Sequence, residues 1–524
     1  MDLGLGRVQA LLRRVGSPHT RFPVIHVAGT NGKGSTTAYL DSLLTHGVGL
    51  RSGRFNSPHL IIPRDCARVQ GGIPIDAKTW ALAEQQTYRA DRFCEASQQD
   101  SPIDATPFEL LTVQTLLAFT LLPAELRPEV LIIEVGVGGR LDATNVFPDE
   151  NVLASVICPI DIDHEALLGH SLAAIAREKA GIIKRNGLCV IADQRKTELV
   201  ASKRRVPLPV ETSILQTLQA VCEAQQARAV PTTIPFEAIH YGAAYAQAEV
   251  ARLRCPATFS LPMHSPSSFS NLSHADVEGS VNVETEATLA RLTGSTTALQ
   301  TLWSIAHDKT ETDSSSPPSS LQKVRDSIRA QLFGEKEPKC AEAIQNALLR
   351  YVWEGRCDWK TLGGHTPVLV DGAHNASSAL ALRQYLEQCL DTYASTSSHA
   401  TIDVRLTWIM AFSRGKDVTA MLSTLLEAWP TSGKWQCKSQ RVAFVPFSTP
   451  VEGMPWVQPM DAAELENDCT QFHHTNAVQQ VTSFGNVREA LAWAAANTQQ
   501  GLEVVVVCGS LYLASDYYRT CCDA

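Results

Sequence analysis

Unbroken apolar runs, closed by glycine or by an acidic residue, recur along the first third of the chain. Pro23-Val24-Ile25-His26-Val27-Ala28 is the first, followed by the glycine-rich Gly29–Gly34 and by helical periodicity from Ser35 to about Thr45. That succession predicts a strand, a tight loop and a helix. Val130–Val135 and Val152–Ile157 are further runs, and strands covered on both faces read this way in parallel sheets. The string SLAAIAREKAGIIK, Ser171 to Lys184, opens on a capping serine and predicts a helix with Gly181 as its stop. Residues 196–300 are less regular, with a helix from Ser295 to Ala306 at their end. Beyond Arg350 strands are expected at Pro367–Val370, Val404–Phe412, Arg441–Phe447 and Glu503–Cys508, with a helix at Val487–Ala495 between the last two. Strands alternating with helices predict an α/β protein, with a parallel-rich sheet first and a smaller Rossmann-like α/β domain at the C-terminal end.

Polar tracts divide this pattern. Residues 307–321, HDKTETDSSSPPSSL, cannot bury a core and predict a flexible insertion, and Tyr393–His399 is a shorter tract of the same kind. A chain of 524 residues exceeds what one core usually supports. The expected organisation is a first domain over 1–305, an insertion and linker over 306–345, and a second domain over 346–524.

Composition narrows the partners. With 44% hydrophobic residues and a formal charge of −9, the chain is an ordinary globular protein lacking the basic surplus that general nucleic-acid binding requires. Its 14 cysteines show no CxxC spacing and read as small buried apolar residues in a reducing compartment. No apolar run approaches the ~20 residues that cross a bilayer, and Met1–Gly6 reads as neither a signal peptide nor a transit sequence. A cytoplasmic protein with neither membrane nor nucleic-acid partners is expected.

Gly29-Thr30-Asn31-Gly32-Lys33-Gly34-Ser35 stands between a strand and a helix, the context a phosphate-cradling loop needs. Glycines let backbone N–H groups close on phosphates, the helix N-terminus adds partial positive charge, and Lys33 would neutralise the terminal phosphates. The order departs from the common phosphate loop, because Gly34 separates Lys33 from the hydroxyl of Ser35. Glu134, closing a buried strand, is an oxygen donor for a hard cation such as magnesium or the partner of an arginine. On their own, His164 reads as a core or capping histidine and Lys179 as a solvated lysine. Asp371 closes a later strand, where ligands gather on open α/β sheets, and His374 and Asn375 follow in the next turn. Phe108 can stack on a flat heterocycle or fill the core. On its own, Arg356 reads as an exposed structural arginine.

The unusual loop order is joined, in sequence, by Ser57-Pro58-His59-Leu60, by EVGVGGRLDATN at Glu134–Asn145, by Asp163-His164-Glu165 with Arg177–Gly181, and by Asp371-Gly372-Ala373-His374-Asn375. Together they resemble the folate branch of the Mur-ligase superfamily, the dihydrofolate and folylpolyglutamate synthases, from residue 2 to about residue 516. The resemblance implies a P-loop Mur-ligase-type ATPase domain, a C-terminal Mur-ligase domain, and ATP-dependent joining of a pterin acid to glutamate through an acyl phosphate. It implies ATP contacts at Asn31, Gly32, Lys33, Gly34, Ser35, Arg356 and Asp371, and Mg2+ at Ser57, Glu134 and His164. It implies a pterin site from Asp2, Leu3 and Gly4, from Thr106, Pro107, Phe108 and Glu109, and from Leu141, Asp142 and Ala143, with Asp142 receiving N–H bonds from the pterin edge. Lys33, Lys179 and His374 are the implied catalytic residues, Lys179 as a carbamylated lysine that helps orient the metal. One position departs from the branch: its glutamine and asparagine before a mid-chain helix have no counterpart in Ala290–Gly294.

Within the branch, Asp2–Gly4 and Thr106–Glu109 resemble the dihydropteroate site, Asn31 stands where eukaryotic polyglutamylating relatives commonly have lysine, and Val451–Trp456 and Val507–Leu513 are similar to fungal enzymes that add the first glutamate to dihydropteroate. An extender of polyglutamate tails, or an enzyme doing both, is the alternative; a P-loop kinase of small molecules is the reading from another class. ATP, dihydropteroate and L-glutamate are the expected partners of a monomer.

Overall fold

All five residues of Val24–Ala28 are buried, because the strand lies at the middle of a sheet covered on both sides. Ile25 and Val27 face one apolar cluster with Tyr39 and Leu40 of the helix Lys33–Ser42, while Val24 faces another with Val113 and Leu117 of the helix Pro107–Leu121. In this computed structural model the sheet order is Arg228–Pro231, Leu188–Ile191, Val152–Ile157, Val24–Ala28, Val130–Glu134, Ser52–Phe55, Ala67–Val69, Ile73–Pro74. The first six strands run parallel, and the last two close the edge antiparallel. The structure describes residues 4–93, 102–195, 197–199, 205–207, 210–235, 238–241, 253, 256–264, 277–286, 289–308, 319–334, 337–351, 353–397, 401–430, 433–451, 457–469, 472, 478–496 and 501–522.

A second sheet follows in the order Asp358–Leu362, Thr366–Val370, Leu502–Cys508, Ile402–Met410, Trp435–Phe444, Val478–Ser483. Only its first pair is antiparallel. The α/β class with two sheets, parallel-rich in both, is the one the alternation of elements predicts.

Several boundaries move for local reasons. The helix expected from Ser35 starts at Lys33, two residues early, and continues through a π-helical turn at Leu43–Val48 that Gly49 ends with φ +82°. The helix opened by Ser171 stops at Ala180, with the Ser171 hydroxyl accepting from the N–H of Ala174, so Ile182–Lys184 lie beyond it. The helix expected from Ser295 begins at Leu289. In the irregular middle, Pro256–His264 and Val277–Glu286 form an antiparallel hairpin.

Order also reaches into the polar tracts. Helices Ser320–Leu332 and Glu337–Leu349 occupy the span expected as flexible insertion and linker. Asp308, inside the tract, is buried between Arg228 and Arg325 at 3.1 and 2.9 Å; residues 309–318 lie outside the described residues. The helix Ala376–Thr396 runs through the second tract because Tyr393 and Ala394 pack into the core; residues 398–400 lie outside the described residues, as do 452–456 of the Val451–Trp456 string. Cys66, Cys158, Cys189, Cys222, Cys340, Cys357, Cys437, Cys469 and Cys508 are free and buried. Among the described residues no helix is long and apolar enough to cross a membrane.

Candidate active site

The glycine-rich loop leaves the C-terminal end of Val24–Ala28, at the middle of the first sheet. Gly32 holds φ +82° immediately before Lys33–Ser42, a left-handed conformation that glycine adopts without steric cost. Lys33 folds back, and its Nζ donates to the carbonyls of Gly29 at 3.0 Å and Thr30 at 3.2 Å, 3.9 Å from Oε1 of Glu134. Lys179 reaches the same Gly29 carbonyl at 2.9 Å from the helix Leu172–Ala180. It is 3% exposed, not on the solvated face that its place after Glu178 suggests. Burial, with Lys33 beside it, pushes its pKa down to about 7. Two lysine side chains thus converge where a polyphosphate would bring negative charge.

Glu134 closes its strand in a buried position. Burial pushes its carboxyl up, against the pull of Lys33 and of Asn56, whose Nδ2 donates to Oε2 at 2.6 Å. The same Nδ2 is 2.7 Å from Oγ1 of Thr37. Asn56 and Thr37 were not among the sequence-predicted residues; the only signal for Asn56 was its place immediately before Ser57.

His164 is neither a core histidine nor a side-chain cap. It adopts φ +52° ahead of a short helix, makes no capping bond, and keeps 44% of its side chain exposed, 3.7 Å from Oδ2 of Asp163. Burial alone would raise the carboxyl of Asp163, but His164, Lys416 and His374 outweigh it and hold it low. His374 and Lys416 come from the second sheet's connections, so the two halves of the chain face each other here. The Nδ1 of His374 is 2.9 Å from the Gly372 carbonyl; since a carbonyl only accepts, Nδ1 carries the proton and Nε2 the lone pair. Burial, reinforced by Lys416 and Arg356, pushes its pKa down to about 4. Lys416 is a further residue that sequence reasoning missed, because it lies in a loop without a motif.

Asp371 is buried with Arg356 beside it. Its carboxylate accepts the N–H of Cys357 and of Ala373, each at 2.7 Å, which pins the Arg356-bearing turn. Arg356 also lies near Glu134, across the gap between the two sheets.

The residues expected around a pterin gather on the other side of the first sheet. Thr106 and Glu109 form a capping box, the Thr106 N–H meeting Oε2 of Glu109 at 2.7 Å. Arg7 donates to the same oxygen at 3.1 Å, which brings the helix Gly6–Arg14, and Gly4 just before it, to this turn. Asp2 and Leu3 lie outside the described residues. Pro107 takes the first helical turn, and Phe108 is half-buried against Gly136 and 6.2 Å from Phe55 between centroids. Asp142 and Ala143 are buried and Leu141 half-buried.

Two sizeable cavities lie elsewhere. One of about 680 Å³ is bordered by Pro23, Pro128 and the helix Ser320–Leu332, and one of about 410 Å³ by Asn486, Arg488 and Arg519.

A family model described as "Dihydrofolate synthetase, C-terminal domain" matches residues 357–520. The chain is 29% identical over 520 residues to a probable dihydrofolate synthetase of Schizosaccharomyces pombe, covering 99% of this chain and 98% of the relative. It is 27% identical over 525 residues to the dihydrofolate synthetase of Saccharomyces cerevisiae, again over 99% and 98%. Its fold is shared by a bifunctional folylpolyglutamate synthase/dihydrofolate synthase of Yersinia pestis solved with AMPPNP and a Mn ion. The TM-score is 0.62 at 22% identity, over 99% of this chain and 94% of that one.

Proposed function

The chain belongs to the dihydrofolate synthase and folylpolyglutamate synthase family of the Mur-ligase superfamily, and on that premise we propose that it joins L-glutamate to 7,8-dihydropteroate while converting ATP to ADP and phosphate. A carboxylate is a poor electrophile, so its oxygen first takes the γ-phosphoryl group; the glutamate nitrogen then attacks the carbonyl carbon and phosphate leaves. The observation that carries the reading is the convergence of Lys33, Lys179 and Glu134 at the end of one sheet with Arg356, Asp371 and His374 from the other.

In this reading Asn31, Gly32, Gly34 and Ser35 cradle the phosphates, and Lys33 and Arg356 neutralise the charge of the transferred group. Asp371 receives a ribose hydroxyl, and Nε2 of His374 accepts an N–H of the incoming amine. Phe108 stacks on the pterin with Thr106, Pro107, Glu109, Leu141, Ala143 and the N-terminal residues around it, while Asp142 accepts its N–H groups. Residues 1–305 form the ATP- and pterin-binding domain, and 346–524 the domain that closes over it, excluding water from the acyl phosphate.

The donors suit a hard divalent cation. Glu134 is a buried carboxylate, His164 is held toward its neutral form by burial, and Ser57 adds a hydroxyl. Among the described residues no three His, Cys, Asp or Glu side chains gather into a metal cage, so waters and phosphate oxygens would have to supply the remaining donors. Magnesium, held by Ser57, Glu134 and His164, would supply charge neutralisation between the phosphates. Lys179, partly neutral near pH 7, is chemically open to carbamylation beside it. We read the enzyme as a monomer, and its buried cysteines support a reducing, cytoplasmic setting.

A second reading, that the enzyme also lengthens a glutamyl tail, is favoured by the double activity named for the Yersinia pestis neighbour. Dihydropteroate and a reduced monoglutamyl folate, each offered separately with ATP and glutamate, decide between them. Release of ADP and phosphate with dihydropteroate alone is expected; turnover of both acids establishes the bifunctional enzyme, and turnover of the folate alone overturns the proposal. A stable phosphorylated product formed without glutamate would instead identify a kinase.

A further inference from the structure

Thr144 stands between two partners that fix the direction of its hydroxyl. Its backbone N–H and its Oγ1 meet Oδ1 of Asp142 at 2.9 and 2.5 Å, and Oγ1 lies 2.9 Å from Nε2 of His26. An ionised carboxylate only accepts, so the hydroxyl gives its one proton to Asp142 and its oxygen accepts from the histidine. His26 sits in the central strand with no exposure. Burial, with Lys184 adding positive charge, pushes its pKa down to about 3, so the ring is neutral and has a single N–H to place. That N–H belongs on Nε2, and Nδ1, which has no partner among the described residues, carries the lone pair. The hydrogen bonds therefore run one way, from His26 to Thr144 to Asp142.

The direction matters at the carboxylate. Oδ1 of Asp142 receives two bonds, Oδ2 receives the Val137 N–H at 2.9 Å, and the Gly136 N–H also favours the carboxylate, so every protein contact on it comes from a donor. Burial pushes the Asp142 acid up, and protonation would turn an acceptor into a donor. A chain of donors that starts on an enclosed N–H opposes that change.

We propose that His26 is a positioning residue for pterin recognition: through Thr144 it holds Asp142 as the acceptor that takes an N–H of the pterin ring. The inference rests on the assignment of Asp142 to the pterin site, and the test separates the two. Asp142→Asn, His26→Leu, His26→Gln, Thr144→Val and Thr144→Ser are compared by direct dihydropteroate binding and by KM for dihydropteroate and for ATP. Glutamine places an N–H near the position of Nε2, and serine keeps the hydroxyl. Loss of a hydrogen bond to a buried charge predicts a rise of about tenfold or more in Kd and KM for dihydropteroate in His26→Leu and Thr144→Val, with KM for ATP nearly unchanged. His26→Gln and Thr144→Ser should stay within about threefold of the parent. If Asp142→Asn binds dihydropteroate normally, the pterin-site assignment fails. If Asp142→Asn is weakened but Thr144→Val and His26→Leu are not, or if both substrates weaken equally, the relay fails while the assignment stands. Should His26→Leu not fold, the contrast of Thr144→Val with Thr144→Ser decides alone.

Discussion

The indole of Trp353, in the turn leading into the second sheet, lies over Gly34 of the glycine-rich loop so closely that a Cβ on that glycine would stand 2.8 Å from Cζ2. The same indole carries the guanidinium of Arg54 4.6 Å from its centroid, and Arg54 is itself 3.4 Å from the buried carboxylate of Asp41. The glycine that separates Lys33 from Ser35 thus has a packing reason, since the loop and the connection between the sheets share one contact. Gly34→Ala is expected to overpack it and destabilise the protein by about 1–3 kcal/mol, with a raised KM for ATP. Adding Trp353→Ala should restore part of the stability lost to the extra methyl. Denaturation of the single and double variants checks this, and a fully stable Gly34→Ala protein contradicts it.

Lys33→Ala removes the cation that neutralises the phosphates in the proposed reaction. Turnover should fall by at least about 10²–10³-fold, the scale of losing one preorganised charge partner in a transition state. The far-ultraviolet spectrum should change little, because Lys33 hydrogen-bonds carbonyls of its own loop, and the melting temperature should fall only modestly as buried Glu134 loses its partner at 3.9 Å. Retained turnover would refute the phosphate role.

Lys179 gives a pH dependence with a definite sign. Its pKa in the folded chain is pushed down to about 7 by burial and by Lys33, whereas in the unfolded chain it titrates near about 10.4. Between those values the unfolded state holds more protons, so stability rises with pH across the window. Lys179→Met lacks the group, and its stability advantage should be largest below about pH 7 and shrink toward about pH 10. Urea denaturation of both proteins at several pH values, without bicarbonate, measures the difference; an advantage that grows with pH would be the wrong sign.

Elements whose burial is continuous were legible in the sequence. Val152–Ile157 and Val487–Ala495 fall where periodicity predicts them, since their apolar spacing alone specifies what they cover. The hairpin Pro256–His264 with Val277–Glu286 was not. Its inward residues Ala257, Phe259, Leu261 and Met263 do alternate, but Pro256 and Pro262 break the strand signature. The edge strand Val478–Ser483, sequence VQQVTS, was hidden by its polarity. In the site, motif residues came together across the two sheets, but their supports did not show. Asn56, Thr37 and Lys416 carry no motif of their own, and the bond from His26 to Thr144 spans 118 positions. Such pairings depend on sheet order, which periodicity does not specify.

Phe108 lies against Gly136, in the turn after Glu134, close enough that a Cβ there would stand 2.4 Å from its Cζ. A ring held this way at a helix start is a rigid platform. Phe108→Ala is expected to raise KM for dihydropteroate about tenfold, the loss of one stacking contact plus its apolar area, with KM for ATP nearly unchanged. Gly136→Ala should shift the ring and produce the same asymmetry more weakly. Initial-rate kinetics with each substrate varied separately provide the check, and equal increases for both substrates argue against a pterin platform.

Arg519, in the helix Leu511–Cys522, donates to the carbonyl of Ile61 and stands 3.4 Å from Oδ1 of Asp516. Leu60 and Ile61 pack on the apolar cluster of the second sheet together with Leu511. The segment from Ser57 to Ile61 therefore takes its position partly from the far end of the chain, four residues beyond the hydroxyl proposed to hold magnesium. Arg519→Met keeps the aliphatic stem and deletes the tether. Stability should fall by no more than about 1 kcal/mol, as for a hydrogen bond from a side chain that is 41% exposed. The cost should appear instead as a lower kcat and a higher magnesium concentration for half-maximal activity, because Ser57 loses its anchor. Arg519→Lys, which keeps a donor at nearly the same reach, should recover part of both. If Arg519→Met changes stability while the magnesium titration does not move, the tether holds the domains together without positioning the metal-binding segment.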